Sequence, residues 1–238
     1  MPSPFSRQVI FWLFLLGGLM FGLGWALLPV KIGTFLEPGD FAAVHAVMRP
    51  WIWIFRVHIF GFVTAVMALV ALGSVLRDEE VRALAWPGIA IAAAGLVVGA
   101  LSAAFYYHHG AWGALATAGF SPAELRAHVD SLATDTEYVT CLVRFARVFV
   151  GLGQVVLALG LLRGGVLPRW VSYGAILLGL AAMALTMGLP DDLELYAPVF
   201  YLDCAWLAGV GFAARRAESW PASGLLGPAA ASGERGAR

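Results

Sequence analysis

The sequence predicts an all-α, polytopic membrane protein, a bundle of six transmembrane helices. Of its 238 residues, 61% are hydrophobic and only 13% are charged, and the mean hydropathy is +0.82. A soluble domain carries about twice that charged fraction. The apolar residues also form long blocks, and a helix needs about 20 of them to cross roughly 30 Å of hydrocarbon. Because these blocks do not alternate with polar residues, they predict helices rather than barrel strands.

Six segments are long enough to span a bilayer, and we number them spans 1 to 6. They are residues 8–30, 51–76, 86–108, 138–162, 168–189 and 196–214. Span 1 exceeds the apolar region of a signal peptide and has no A-x-A cleavage site after it, so we expect it to be retained. The six-helix transmembrane domain is predicted to cover residues 1–216. Residues 217–238, rich in Gly, Ala, Ser and Pro, are predicted to be a disordered cytoplasmic tail.

The positions of Lys and Arg in the short connections predict the orientation. One set of span ends carries most of the arginines: Arg7, Arg77, Arg82, Arg163, Arg169, Arg215 and Arg216. The other set carries only Lys31, Arg49 and Arg126. Cytoplasmic connections are enriched in Lys and Arg, so both termini are predicted to be cytoplasmic. The predicted location is the cell inner (plasma) membrane, with multiple passes.

Two outer connections carry helix-start signals. Ser121-Pro122-Ala123-Glu124 has the form of a capping box with proline at the first helical position. It predicts a short surface helix ending near Leu132. After span 1, Asp40 is a candidate N-cap for a helix that continues through Met48.

Ionisable residues inside the spans are the main functional signal, because charge in hydrocarbon is costly. They are Arg56 and His58 in span 2, Arg144 and Arg147 in span 4, and Asp203 in span 6. One face of span 4 gathers polar and small residues in steps of three and four: Thr140, Arg144, Arg147, Gly151, Gln154 and Ala158. We expect this face to point into the bundle, with the two arginines opposite Asp203.

Two interpretations of this cluster are open. The first is an Arg–Asp bridge that only fixes the register of the helices. The second is an outward-facing polar pocket between spans 2, 4 and 6 that binds a small anionic or amphipathic ligand or a lipid headgroup. The candidate ligand-binding residues of that pocket are His58, Arg144, Arg147, Gln154 and Asp203.

Other functional hypotheses use different features. Small size and a lack of soluble domains fit an accessory subunit of a respiratory or photosynthetic membrane complex. A haem- or metal-dependent redox enzyme would use the outer histidines, with His108 and His109 as metal candidates. A bis-His haem needs two histidines at similar depth, whereas His58 lies about 10 Å deep by helical rise and His108 lies near the surface.

The absence of catalytic motifs and of basic runs argues against several classes of protein. It has no H-E-x-x-H, G-x-S-x-G, Walker or C-x-x-C motif, which favours a non-enzymatic protein without a cofactor. The formal net charge is zero and no basic run occurs, so nucleic acid is not an expected partner. The expected partners are the lipid bilayer, a small ligand and, in the complex hypothesis, other membrane subunits.

The layout resembles an uncharacterised bacterial family of six-span membrane proteins, a domain of unknown function. The shared features are an aromatic first span, the outer-loop sequence Ser121-Pro122-Ala123-Glu124-Leu125, and a glycine-bearing fourth span followed by Gly164-Gly165-Val166-Leu167-Pro168-Arg169-Trp170. The resemblance implies the six-span fold. It brings no activity and no site residues.

Overall fold

The computed structural model describes residues 2–190 and 193–217, and this part of the chain is helical without strands. In chain order the helices are α1 (Pro4–Ala26), α2 (Pro38–Ala46), α3 (Met48–Val75), α4 (Glu79–His108), α5 (Ala114–Ala116), α6 (Pro122–Ser131), α7 (Ala133–Gly164), α8 (Arg169–Gly188) and α9 (Leu193–Arg216), with a π-helical turn at His109–Gly113. Six of them are long and apolar enough to cross a membrane: α1, α3, α4, α7, α8 and α9. The predicted fold class is confirmed. The predicted tail lies outside the described residues, apart from Ala217.

The six long helices close into a ring. Helix α1 packs against α3 and α9, α4 packs against α3 and α7, and α8 packs against α7 and α9. The two ends of the described chain meet, because Arg7 Nη1 donates a hydrogen bond of 2.8 Å to the Ala217 carbonyl. We call this the terminal face, and the opposite one, which carries α2, α5 and α6, the loop face. Which face is cytoplasmic stays a prediction.

The outer surface of the ring is apolar. Large hydrophobic side chains are exposed along every long helix, among them Leu19, Trp53, Leu101, Phe145 and Leu177. Soluble monomers rarely expose contiguous apolar patches larger than a few hundred Å². An apolar belt around a helical ring is therefore the surface expected of a protein whose solvent is lipid.

Helices α4 and α7 approach each other closely along a seam of glycines. A Cβ added at Gly88 would meet the backbone nitrogen of Leu157, and one at Gly95 would lie 2.7 Å from the backbone nitrogen of Val150. Within a membrane, helices associate mainly through packing, and small residues let the backbones come together. This seam fixes one wall of the ring.

The helices extend beyond the apolar runs. Helix α4 begins at Glu79 rather than at residue 86, because the Asp78 carboxylate caps it by accepting from the Glu80 and Val81 amides at 2.9 and 3.1 Å. Helix α7 begins at Ala133 rather than at residue 138. The length of an apolar run reflects the thickness of lipid that the helix crosses, whereas the capping residue sets where the helix begins.

Helices α2 and α6 of the loop face test the capping predictions. The Ser121 capping box is confirmed, since the Ser121 amide donates to Glu124 Oε2 at 2.7 Å, and the helix ends at Ser131. The prediction for Asp40 is wrong in its position. Glu37 is the N-cap, and the Asp40 carboxylate, three residues later, accepts from the Glu37 amide at 2.8 Å. Pro38 sets this earlier start.

Candidate ligand cavity

An interior cavity of about 210 Å³ lies inside the ring. Its walls come from α1, α3, α4, α7 and α9, and the segment 32–34 that follows α1 covers it on the loop-face side. A cavity of about 150 Å³ is enough to hold benzene. This space therefore takes a molecule somewhat larger than one aromatic ring.

Most of the lining is apolar and much of it is aromatic. The rings that line it include Phe21, Trp25, Phe55, Phe62, Phe200 and Trp206. Small-molecule sites are commonly built this way, with an apolar wall and a few placed polar groups that fix orientation. The wall suits the apolar body of a ligand.

His58 is the polar group contributed by α3. It is 6% exposed, and its Nδ1 lies 2.9 Å from the Phe21 carbonyl oxygen. A carbonyl only accepts, so Nδ1 carries the hydrogen. Gly61 makes this contact reachable, because a Cβ there would lie 2.5 Å from the Phe21 nitrogen. The imidazole also stacks on the Phe21 ring, with 5.0 Å between centroids.

Gln154 and Asp203 join α7 to α9 across the inside of the ring. Gln154 Nε2 donates to Asp203 Oδ1 at 3.0 Å, and the two residues are 5% and 7% exposed. Both line the cavity. Gln154 Oε1 is buried and has no hydrogen-bond partner among the described residues. The two helices predicted to face each other do so, although α8 lies between them in the ring.

The two arginines of α7 are placed differently from each other. Arg147 is partly buried, lines the cavity, and has its guanidinium carbon 4.2 Å from the centroid of the Tyr196 ring. Arg144 is exposed and is not among the residues of the cavity wall. Its Nη2 lies 3.5 Å from the Leu189 carbonyl oxygen.

These positions correct the expected pairing of both arginines with Asp203. The hydrogen-bond partner that the structure gives the Asp203 carboxylate is the Gln154 amide. Arg144 instead reaches the C-terminal end of α8, where backbone carbonyls lack helical partners and the helix dipole favours a cation. The acidic residues Asp191 and Asp192 lie outside the described residues.

Sequence reasoning missed part of the cavity wall. Tyr106 lines it from α4, and its hydroxyl donates to the Thr34 carbonyl at 2.7 Å, which ties the segment after α1 over the space. The small residues Gly95, Gly99 and Ala103 of α4 also line it. Their spacing along one face of span 3 was the available signal, because a stripe of small residues marks a face that packs against other helices.

The metal candidates lie apart from the cavity. His108 is exposed, and the His109 ring packs against Phe105 with 4.4 Å between centroids. Within residues 2–190 and 193–217, no group of three or more His, Cys, Asp or Glu side chains is arranged to hold a metal ion. The described residues thus give His108 and His109 no third ligand for a metal ion.

No protein-family model, curated protein or solved structure matches this chain. No relative therefore supplies an activity or a set of site residues.

Proposed function

We propose that this chain is a multi-pass membrane protein that binds a small amphipathic ligand inside its helical ring. The observation that carries the proposal is the cavity of about 210 Å³, whose aromatic wall is interrupted by buried polar side chains. The proposed ligand-contacting residues are His58, Arg147, Gln154 and Asp203. Arg144 is left out, because its guanidinium lies at the end of α8.

The contacts of the polar side chains support binding over a purely structural ion pair. A register-fixing bridge would be a closed pair of opposite charges. Here the hydrogen bond that the structure describes at the Asp203 carboxylate comes from the neutral Gln154 amide. Both side chains also reach the wall of the cavity, where a ligand is able to contact them.

The same contacts favour binding over catalysis. A histidine that acts as a catalytic base lies within hydrogen-bond reach of a nucleophile. Among the described residues, the His58 ring contacts the Phe21 carbonyl and aromatic rings rather than a hydroxyl or a thiol. We therefore propose a non-enzymatic role for the histidine, as a polar wall residue.

We further propose that the terminal face is cytoplasmic and that the cavity lies toward the outside of the cell membrane. The arginines at the ends of the long helices support this orientation, since positive residues concentrate on the cytoplasmic side. The segment 32–34, which covers the cavity, belongs to the opposite, loop face. Cysteine accessibility from either side of intact cells, measured at residues 33 and 77, tests the orientation.

The binding proposal is tested by blocking the cavity with a phenyl ring. Ser102 is 2% exposed and lines the cavity, so Ser102→Phe places a ring in the space. Ala104, two positions later on α4, is exposed on the outer surface, so Ala104→Phe is the matched control. The probe is phenylpropanol, titrated against the full chain in lipid nanodiscs with empty nanodiscs subtracted.

Wild type and Ala104→Phe are expected to bind phenylpropanol with the same affinity and to unfold at higher temperature in its presence. Ser102→Phe is expected to lose both effects while remaining folded, as judged by its helical circular dichroism. If Ser102→Phe binds phenylpropanol as wild type does, or if wild type does not bind it, the cavity is not a binding site for molecules of this size.

A further inference from the structure

Three buried side chains present hydrogen-bond acceptors at the cavity. Gln154 Oε1 is buried with no hydrogen-bond partner among the described residues, because its amide nitrogen is directed at Asp203. The Asp203 carboxylate only accepts when ionised. His58 donates through Nδ1 to the Phe21 carbonyl, so Nε2 is the acceptor of its neutral ring. All three residues line the same space.

The burial of these three side chains indicates that their acceptors need a hydrogen-bond donor. Gln154, His58 and Asp203 are 5%, 6% and 7% exposed. A buried acceptor that lacks a donor costs free energy, and native proteins satisfy nearly all such groups. Of the three acceptors, which come from α3, α7 and α9, the Gln154 oxygen is the one without a hydrogen-bond partner among the described residues. A donor reaching this oxygen from inside the cavity would satisfy it.

The positive charge of Arg147, at the cavity wall, does not turn this group of acceptors into a site for an anion. The Arg147 guanidinium lies 4.2 Å from the centroid of the Tyr196 ring. Arg147 and Tyr196 also line a separate, smaller cleft with Thr186 and Leu189, so this side chain lies between the cavity and the loop-face end of α8. An anionic head placed beside Gln154 would meet the Gln154 oxygen, which is itself an acceptor, and an ionised Asp203 would add a like charge.

We propose that the ligand presents a hydrogen-bond donor, a hydroxyl or a protonated amine on an apolar or aromatic body, to Gln154, His58 and Asp203. This inference rests on the proposed function. A hydroxyl satisfies the Gln154 oxygen or the His58 nitrogen. A protonated amine adds a charge-assisted bond to the carboxylate, and the surrounding aromatic faces stabilise a cation. The chemical class is thus a donor-headed amphiphile rather than a carboxylate or phosphate.

The test compares four probes that share one phenylpropyl or phenylpropanoyl body: phenylpropanol, phenylpropylamine, phenylpropionate and propylbenzene. Each is titrated calorimetrically into the full wild-type chain in lipid nanodiscs at neutral pH, with empty nanodiscs subtracted. The alcohol and the amine are expected to bind roughly tenfold more tightly than the hydrocarbon, the value of one or two good hydrogen bonds. Phenylpropionate is expected to bind most weakly.

Variants locate the donor contact. Gln154→Leu removes the unpartnered oxygen at similar size and is expected to weaken both donor probes about tenfold. Asp203→Asn keeps the shape and is expected to weaken the amine more than the alcohol. Thr186→Val removes a buried hydroxyl outside the cavity wall, and its affinities are expected to match wild type.

The outcomes separate this inference from the proposed function. If phenylpropionate binds as tightly as the alcohol, or if Gln154→Leu binds both donor probes as wild type does, the inference is wrong while the cavity remains a binding site. A Thr186→Val loss equal to that of Gln154→Leu also overturns it. If no probe binds wild type, both the inference and the proposed function fail.

Discussion

Replacing Gly88 by alanine should weaken the whole ring, because Gly88 lies on the seam between α4 and α7. The new Cβ would meet the Leu157 backbone nitrogen and lie 2.8 Å from the Gly153 carbonyl oxygen. Backbone atoms cannot rotate away, so the two helices must separate. Overpacking costs about 1–3 kcal/mol, and a clash with backbone lies at the upper end. The better helix propensity of alanine returns about 1 kcal/mol.

The expected net loss is therefore about 2 kcal/mol, which lowers the unfolding temperature of a chain of this size by about 4–8 °C. The assay is thermal unfolding of the purified chain in mild detergent, followed by circular dichroism. Gly188→Ala is the matched control, since nothing lies within 4 Å of a Cβ added there. An unfolding temperature for Gly88→Ala equal to that of Gly188→Ala would show that α4 and α7 are not packed along this seam.

Three further predictions follow from single contacts. Tyr106→Phe removes the 2.7 Å bond to the Thr34 carbonyl and should cost about 1 kcal/mol, measured by thermal unfolding, with faster hydrogen exchange in the segment after α1. Asp78→Ala removes the cap of α4 and should cost about 1 kcal/mol in the same unfolding assay. The bond from the Ser121 amide holds the pKa of Glu124 below its usual range, so the capping box of α6 should be intact above the ordinary glutamate range and lost as pH falls through the lowered pKa. The loss of the capping box is measured as faster hydrogen exchange at the Ser121 amide.

Most of the fold could be predicted from the sequence, because the lipid imposes a simple length rule. Each apolar run became one long helix, and the Ser121 capping box appeared where its residues indicated. The helix bounds were less predictable, since polar first turns such as the one capped by Asp78 lie outside the apolar run. Asp40 was misplaced because Glu37 and Pro38 offered a competing start.

The candidate site was predictable in part. Helical spacing correctly put Gln154 on the inward face of α7, but the sequence placed Asp203 opposite the two arginines and not opposite Gln154. Spacing does not give the reach of a long side chain, so it could not show that Arg144 turns to the end of α8. It also favoured a charge–charge pair for Asp203, whereas the structure pairs this residue with the neutral Gln154. The aromatic wall came from several helices and left no local pattern.

The central claim is that α7 and α9 meet through polar side chains inside the ring. A short bis-methanethiosulfonate linker tests it in the double variant Gln154→Cys, Asp203→Cys, with Cys141 and Cys204 replaced by alanine to remove the native thiols. The control pair is Leu152→Cys with Leu202→Cys, both exposed on the outer surface.

Intact-mass spectrometry of the treated chain distinguishes one bridging linker from two singly attached ones. The 154–203 pair should be bridged by one linker in native membranes, and the 152–202 pair should carry two separate linkers. Two separate linkers on the 154–203 pair, or equal bridging of both pairs, would contradict the interior contact on which the cavity and its ligand depend.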